Sequence, residues 1–200
     1  MTVIVGVTTP RHSFIASDTL AFENSHRCKA QEKIIKKGKL LVGACGSYAV
    51  INCIQHHFNP PKKHKNYSDT DYLFKQIYIS LRNALVKFDL ITSSEGKQTI
   101  DGSILIVYEG KIYVIQEDFS MLEIKDTLYI IGSGSEYTFG AYKALDIHKD
   151  SFVVPDRIRE SIRIAAQFCP SINADVSILS YRHEDYRNST NNNLTKETYD

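Results

Sequence analysis

The chain has 200 residues, 42% hydrophobic and 24% charged, with 10 Gly and 5 Pro, which is the usage of a globular protein and not of a disordered or collagenous one. Its 24 Lys and Arg against 23 Asp and Glu leave a formal charge of +1, so no overall field draws it to nucleic acid or anionic lipid. The longest apolar runs fall short of the ~18 residues that span a bilayer, and the opening MTVIVGVTTPR lacks the basic-then-apolar order of a signal peptide; the expectation is a cytoplasmic protein without a membrane or nucleic-acid partner.

Residues 2–9 are β-branched and alternate, Pro10-Arg11-His12 reads as a turn, and residues 13–18 read as a second strand, so the chain begins in a hairpin. Residues 32–37 and 40–44 flank Lys37-Gly38-Lys39 as another hairpin. The run Gly43-Ala44-Cys45-Gly46 then breaks the strand, and Ser47 caps a helix reaching about Phe58. Residues 59–69, with Pro60-Pro61 and three lysines, form a loop. Leu73, Phe74, Ile77, Leu81, Leu85 and Phe88 give residues 71–88 a helical period.

The second half repeats the plan. Residues 103–108 and 112–116 flank the turn Glu109-Gly110-Lys111, and residues 127–131 form a strand ending at Gly132-Ser133-Gly134, after which a helix runs to about Ile147. Pro155-Asp156 opens a long helix with Ile158, Ile162, Ala165 and Ala166 on one face, Pro170 stops it, and residues 175–181 are a last strand. The Asn-rich stretch 182–200 reads as a loosely ordered tail behind a single domain, 1–181. Strands followed by a helix pair in each half predict an α+β protein, two antiparallel sheets face to face with helix pairs outside. The lack of βαβ alternation argues against a parallel doubly wound sheet.

Several features that could carry chemistry read more simply as structure. Cys28, Cys45, Cys53 and Cys169 form no C-x-x-C and read as small apolar thiols. Gly132-x-Gly134 lacks the βαβ context of a dinucleotide loop, His56-His57 has no metal spacing, and Lys62-Lys63-His64-Lys65 reads as a solvated loop. No cofactor or metal is expected. The informative place is the start. Removal of Met1 would expose Thr2, which then carries a hydroxyl nucleophile and a free α-amine of pKa about 7.7–8 on one residue. Asp18 ends the strand paired with the first, and Lys33 opens the next; a lysine cation beside Thr2 would lower the pKa of its hydroxyl, with Asp18 holding that cation in place. Gly46, after a strand and before a helix, can offer an unencumbered N–H to an oxyanion.

At these residues the sequence resembles the proteasome β-subunit and HslV family of N-terminal-nucleophile (Ntn) threonine peptidases. The matching segments are Thr2-Val3-Ile4-Val5-Gly6-Val7, Ile15-Ala16-Ser17-Asp18, Lys33-Ile34, Leu41-Val42-Gly43-x-x-Gly46 and Ile130-Ile131-Gly132-Ser133-Gly134-Ser135, in family order over about residues 2 to 181. The resemblance implies a four-layer αββα sandwich, Thr2 as nucleophile, Asp18 and Lys33 as its electrostatic pair, Gly46 as oxyanion donor and Ser133 near the amine. Ser17 stands where the family has a smaller residue, and Gln167 is what the last long helix offers where relatives place an acid supporting the amine. Leu20, Ala21 and Phe22 stand near a position where the family often carries a hydroxyl, and with Cys45 they hint at an apolar pocket. The implied partners are further copies of the chain in a ring, an ATP-dependent unfoldase and unfolded polypeptide substrates. A catalytically silent subunit of the same kind, and an Ntn amidase acting on a small molecule, are the two competing readings.

Overall fold

In the computed structural model, which describes residues 2–23, 26–29, 32–147 and 153–183, the β-branched start of the chain forms a hairpin. Met1, the side chain of Phe22 and residues 184–200 of the expected tail lie outside this description. The strands in chain order are β1 (Ile4–Thr8), β2 (His12–Asp18), β3 (Leu20–Glu23), β4 (His26–Lys29), β5 (Ile34–Lys37), β6 (Leu40–Gly46), β7 (Thr92–Ser94), β8 (Lys97–Thr99), β9 (Gly102–Tyr108), β10 (Lys111–Ile115), β11 (Met121–Ile124), β12 (Leu128–Ile131) and β13 (Val176–Arg182). The helices are α1 (Tyr48–His56), α2 (Asp69–Tyr72), α3 (Tyr78–Lys87), α4 (Ser135–Asp146) and α5 (Val154–Phe168).

Two antiparallel sheets, in the orders β12-β1-β2-β13 and β11-β10-β9-β6-β5, make the body. Successive side chains of a strand point to opposite faces, and here both faces are covered. Ile4, Ile15, Leu41 and Leu105 meet between the sheets. Their neighbours Val5 and Ala16 turn outward onto Tyr142, Ile158 and Ile162 of α4 and α5, while Val42 and Ile106 turn onto Ile51 and Leu81 of α1 and α3. Three apolar interfaces therefore separate four layers, helix pair, sheet, sheet, helix pair, as the α+β reading expects.

The structure adds detail that local patterns do not carry. Each sheet mixes strands from both halves: β1 is flanked by β2 and β12, and β6 by β5 and β9. The hairpins β3–β4 and β7–β8 form small sheets of their own, and β13 continues one residue past the expected boundary, to Arg182. The expected helix over residues 71–88 contains a π-helical turn, Leu73–Ile77, between α2 and α3. Leu73, Ile77, Leu81 and Leu85 are all buried yet recur every fourth residue, a spacing that drifts about 40° per step on a 3.6-residue helix. The wider π turn takes up part of that drift and keeps the four on one face.

Candidate active site

Strand register brings the candidate residues together. Ile4 lies opposite Ser17 on β2 and opposite Ile131 on β12. Continued toward the N-terminus, the same ladders put Val3 opposite Asp18, and Thr2 between Thr19 on one side and Ser133 on the other. Lys33 precedes β5 in the second sheet, where its carbonyl accepts from Ala44 N at 3.2 Å, and its side chain crosses to the first sheet.

The Asp18 carboxylate is bonded through both oxygens. Oδ1 accepts from Thr2 Oγ1 at 2.6 Å, Val3 N at 3.0 Å and Lys33 Nζ at 2.9 Å, and Oδ2 accepts from Leu20 N at 3.0 Å. Lys33 Nζ also donates to Thr2 Oγ1. Thr2, Asp18 and Lys33 are all at most 2% exposed. Burial pushes the Lys33 ammonium below its ordinary pKa, and the adjacent Asp18 charge opposes that push. Burial also raises the pKa of the nearby Cys45 thiol, which favours its neutral form. Taking two charges out of water costs several kcal/mol per ion, and apolar residues of the same volume are often at least as stabilising. A buried Asp–Lys pair whose cation reaches a hydroxyl is therefore better explained by chemistry at that hydroxyl than by fold stability.

The turn between β12 and α4 holds the main chain of Thr2. Thr2 N donates to Ser133 Oγ at 3.2 Å, and Ser133 Oγ and Gly134 N each donate to Thr2 O at 3.3 Å. Gly132 adopts φ +96°, and a Cβ there would stand 2.3 Å from Thr2 O, so only glycine lets the turn approach this closely. The Gly132-Ser133-Gly134 run is thus directed at Thr2. Gly46 closes β6 immediately before Ser47, whose Oγ caps α1 by accepting from Ala49 N at 3.1 Å. Its φ is +104°, and a Cβ would lie 2.3 Å from Asp101 O. Direct hydrogen bonds link Thr2, Asp18, Lys33 and Ser133, while Gly46 stands two residues beyond the Ala44–Lys33 contact.

Gln167 is exposed on α5. The group from this part of the chain that meets Ser133 is Cys169, which is 5% exposed and whose Sγ donates to Ser133 O at 3.7 Å. Residues 158, 162, 165 and 169 continue one buried stripe, a spacing signal that points to Cys169. Leu20, Ala21 and Cys45 are buried, and of these Leu20 meets Asp18 through its amide. The Val3 amide carries no side-chain signature and emerges only from register, whereas the Leu20 amide, two residues after Asp18, makes a local Asx-type contact. His57 stacks on Phe88 with ring centroids 4.1 Å apart, and Lys63 pairs with Asp69 at 2.5 Å, so both serve local packing. Among the described residues no group of three His, Cys, Asp or Glu could hold a metal ion, and no helix is long and apolar enough to cross a membrane.

No family model matches the chain. Over 152 residues, 76% of each chain, it is 24% identical to the ATP-dependent protease subunit HslV of Pediococcus pentosaceus. In fold it is similar to BPH of Thiobacillus denitrificans, solved in complex with epoxomicin, with a TM-score of 0.73 and 21% identity over 90% of this chain and 98% of that one. It is also similar to HslV of Trypanosoma brucei, with a TM-score of 0.63 and 16% identity over 90% and 99%. The resemblance to the HslV and proteasome β group holds in sequence and in fold.

Proposed function

We propose that this chain, HslV-like in sequence and proteasome-like in fold, is a subunit of a threonine-type peptidase that cleaves peptide bonds with Thr2 once Met1 has been removed. The observation that carries this reading is the hydrogen bond from Lys33 Nζ to Thr2 Oγ1 inside a shell that buries both residues with Asp18. A donating ammonium stabilises a developing alkoxide, and Asp18 keeps that ammonium aimed. Loss of Met1 converts the Thr2 nitrogen from an amide into an amine, which Ser133 Oγ, at 3.2 Å, orients as a base.

In the proposed reaction the amine takes the hydroxyl proton as Oγ1 bonds to the scissile carbonyl carbon, and the carbonyl electron pair moves to oxygen, facing the Gly46 N–H. Collapse breaks the C–N bond, and the leaving amine receives the proton from the Thr2 ammonium. This leaves an ester on Thr2. A water deprotonated by the same amine hydrolyses the ester and restores the residue, so one water is consumed per peptide bond.

The Pediococcus relative is named a subunit of an ATP-dependent protease, which supports a homo-oligomeric ring that encloses the Thr2 sites and receives unfolded polypeptide from an ATP-dependent unfoldase. Tyr137, Phe139 and Phe168 on α4 and α5 are 50%, 46% and 65% exposed, apolar side chains available for contact between copies. At micromolar concentration native mass spectrometry is expected to show a species many times the mass of one chain, held by contacts above about 1,000 Å² per pair. That species should bind epoxomicin, the compound carried by the Thiobacillus relative, at Thr2. A ring that degrades no peptide and takes no label would indicate the silent subunit. A monomer that hydrolyses a small amide but no peptide would indicate the amidase.

A further inference from the structure

At Thr19 the chain leaves the main sheet: β2 ends at Asp18, and β3, which begins at Leu20, pairs among the described residues only with β4. The main-chain N–H of Thr19 is satisfied instead by a side chain distant in sequence. Thr19 N donates to Asn173 Oδ1 at 3.1 Å, and Asn173 Nδ2 donates to Thr19 Oγ1 at 3.1 Å. Thr19 lies across from Thr2 in the extended register, between Asp18 and the Leu20 amide that grips Asp18 Oδ2.

We infer that Asn173 is a positioning residue for the Thr2–Asp18 centre, acting through Thr19; the inference rests on the peptidase reading of that centre. Thr19 is 6% exposed and borders a cavity of about 440 Å³ lined also by Glu32, Arg163 and Asp175, so the Asn173 carboxamide holds it at the edge of the packed region. A carboxamide supplies an acceptor for the amide and a donor for the hydroxyl in one neutral group, so it brings no charge near the Asp18–Lys33 pair. The segment bearing Asn173 is itself anchored. Ile172 is fully buried, its carbonyl accepts from Arg27 Nη2 at 3.2 Å, and its side chain presses on Gly134, where a Cβ would meet Ile172 Cδ1 at 2.9 Å. Residues 172 and 173 therefore brace both flanks of Thr2, the Ser133–Gly134 turn through Ile172 and the Asp18–Leu20 bend through Asn173.

The test is Asn173→Ala alongside Asn173→Asp, which has the same size and keeps the experiment open if the alanine variant does not fold. A displacement of about 1 Å at a reacting centre can cost about 10²-fold, so Asn173→Ala is expected to lower kcat by roughly 10- to 100-fold with KM within about twofold. The Lys33 titration, followed by NMR of the lysine side chain, distinguishes positioning from simple destabilisation. Lys33 faces Asp18, the Thr2 hydroxyl and Cys45, and Asp18 raises its pKa. Loosening Asp18 in Asn173→Ala should move the Lys33 titration to lower pH, whereas the added carboxylate of Asn173→Asp should move it to higher pH. Unchanged kcat in Asn173→Ala would overturn the inference, as would a loss of kcat accompanied only by a lower Tm and an unmoved Lys33 titration. If the wild-type protein cleaves no peptide the peptidase reading fails, and the Lys33 titration still decides whether Asn173 positions Asp18.

Discussion

Replacing Thr2 by Ala is expected to leave a folded, assembled protein with no measurable peptide hydrolysis. The substitution removes the proposed nucleophile and little else: Lys33 Nζ and Asp18 Oδ1 still meet at 2.9 Å, and the Val3 and Leu20 amides still hold the carboxylate. Losing the Thr2 hydroxyl's bond to that carboxylate should cost about 1–3 kcal/mol of stability. Loss of a nucleophile from a concerted site lowers kcat on the order of 10⁶-fold. Circular dichroism and native mass spectrometry should match wild type while peptide cleavage vanishes. Thr2→Ser, which keeps both hydroxyl and amine, should retain part of the activity. Cleavage persisting in Thr2→Ala would place the nucleophile elsewhere.

Lys33→Ala is expected to reduce the rate by roughly two to four decades, the range found for a lost electrostatic or acid–base group. Stability should fall as well. Removing one member of a buried pair costs about 3–5 kcal/mol, because the other charge stays buried without a partner, and the Lys33 and Asp18 side chains are 1% and 0% exposed. The two effects separate if kcat is measured well below the variant's Tm, where the unfolded fraction is negligible. Lys33→Arg should not restore the rate, since a forked guanidinium does not fit the space of one ammonium donating to both Thr2 Oγ1 and Asp18 Oδ1. Near-normal turnover in Lys33→Ala would remove Lys33 from the mechanism.

The site is legible in the sequence where short-range patterns and strand register determine it. Alternation over residues 2–9 and 13–18 around a three-residue turn already implies a hairpin with Asp18 next to Thr2, and Gly132-Ser133-Gly134 marks a strand-to-helix turn. What lies beyond local pattern is long-range pairing. Neither the insertion of β1 between β2 and β12 nor the Asn173–Thr19 clasp, 154 residues apart, leaves a periodic trace. Asn173 sits between Pro170 and Asp175 in a stretch that reads as an ordinary loop. Strands β3 and β4 are short, and β4 is rich in charge and exposed throughout, so the period-2 signal is weak there. Cys169 is the exception: it directly follows α5 and continues the 158, 162, 165 stripe, whereas Gln167 faces solvent.

In the proposed mechanism Thr2 acts as a free N-terminal residue, with its own amine as the base. The intact mass and N-terminal sequence of purified, peptide-cleaving protein test this role. The mechanism predicts a chain shorter by one methionine that begins at Thr2. Met1 fully retained in material that still cleaves peptides would contradict it.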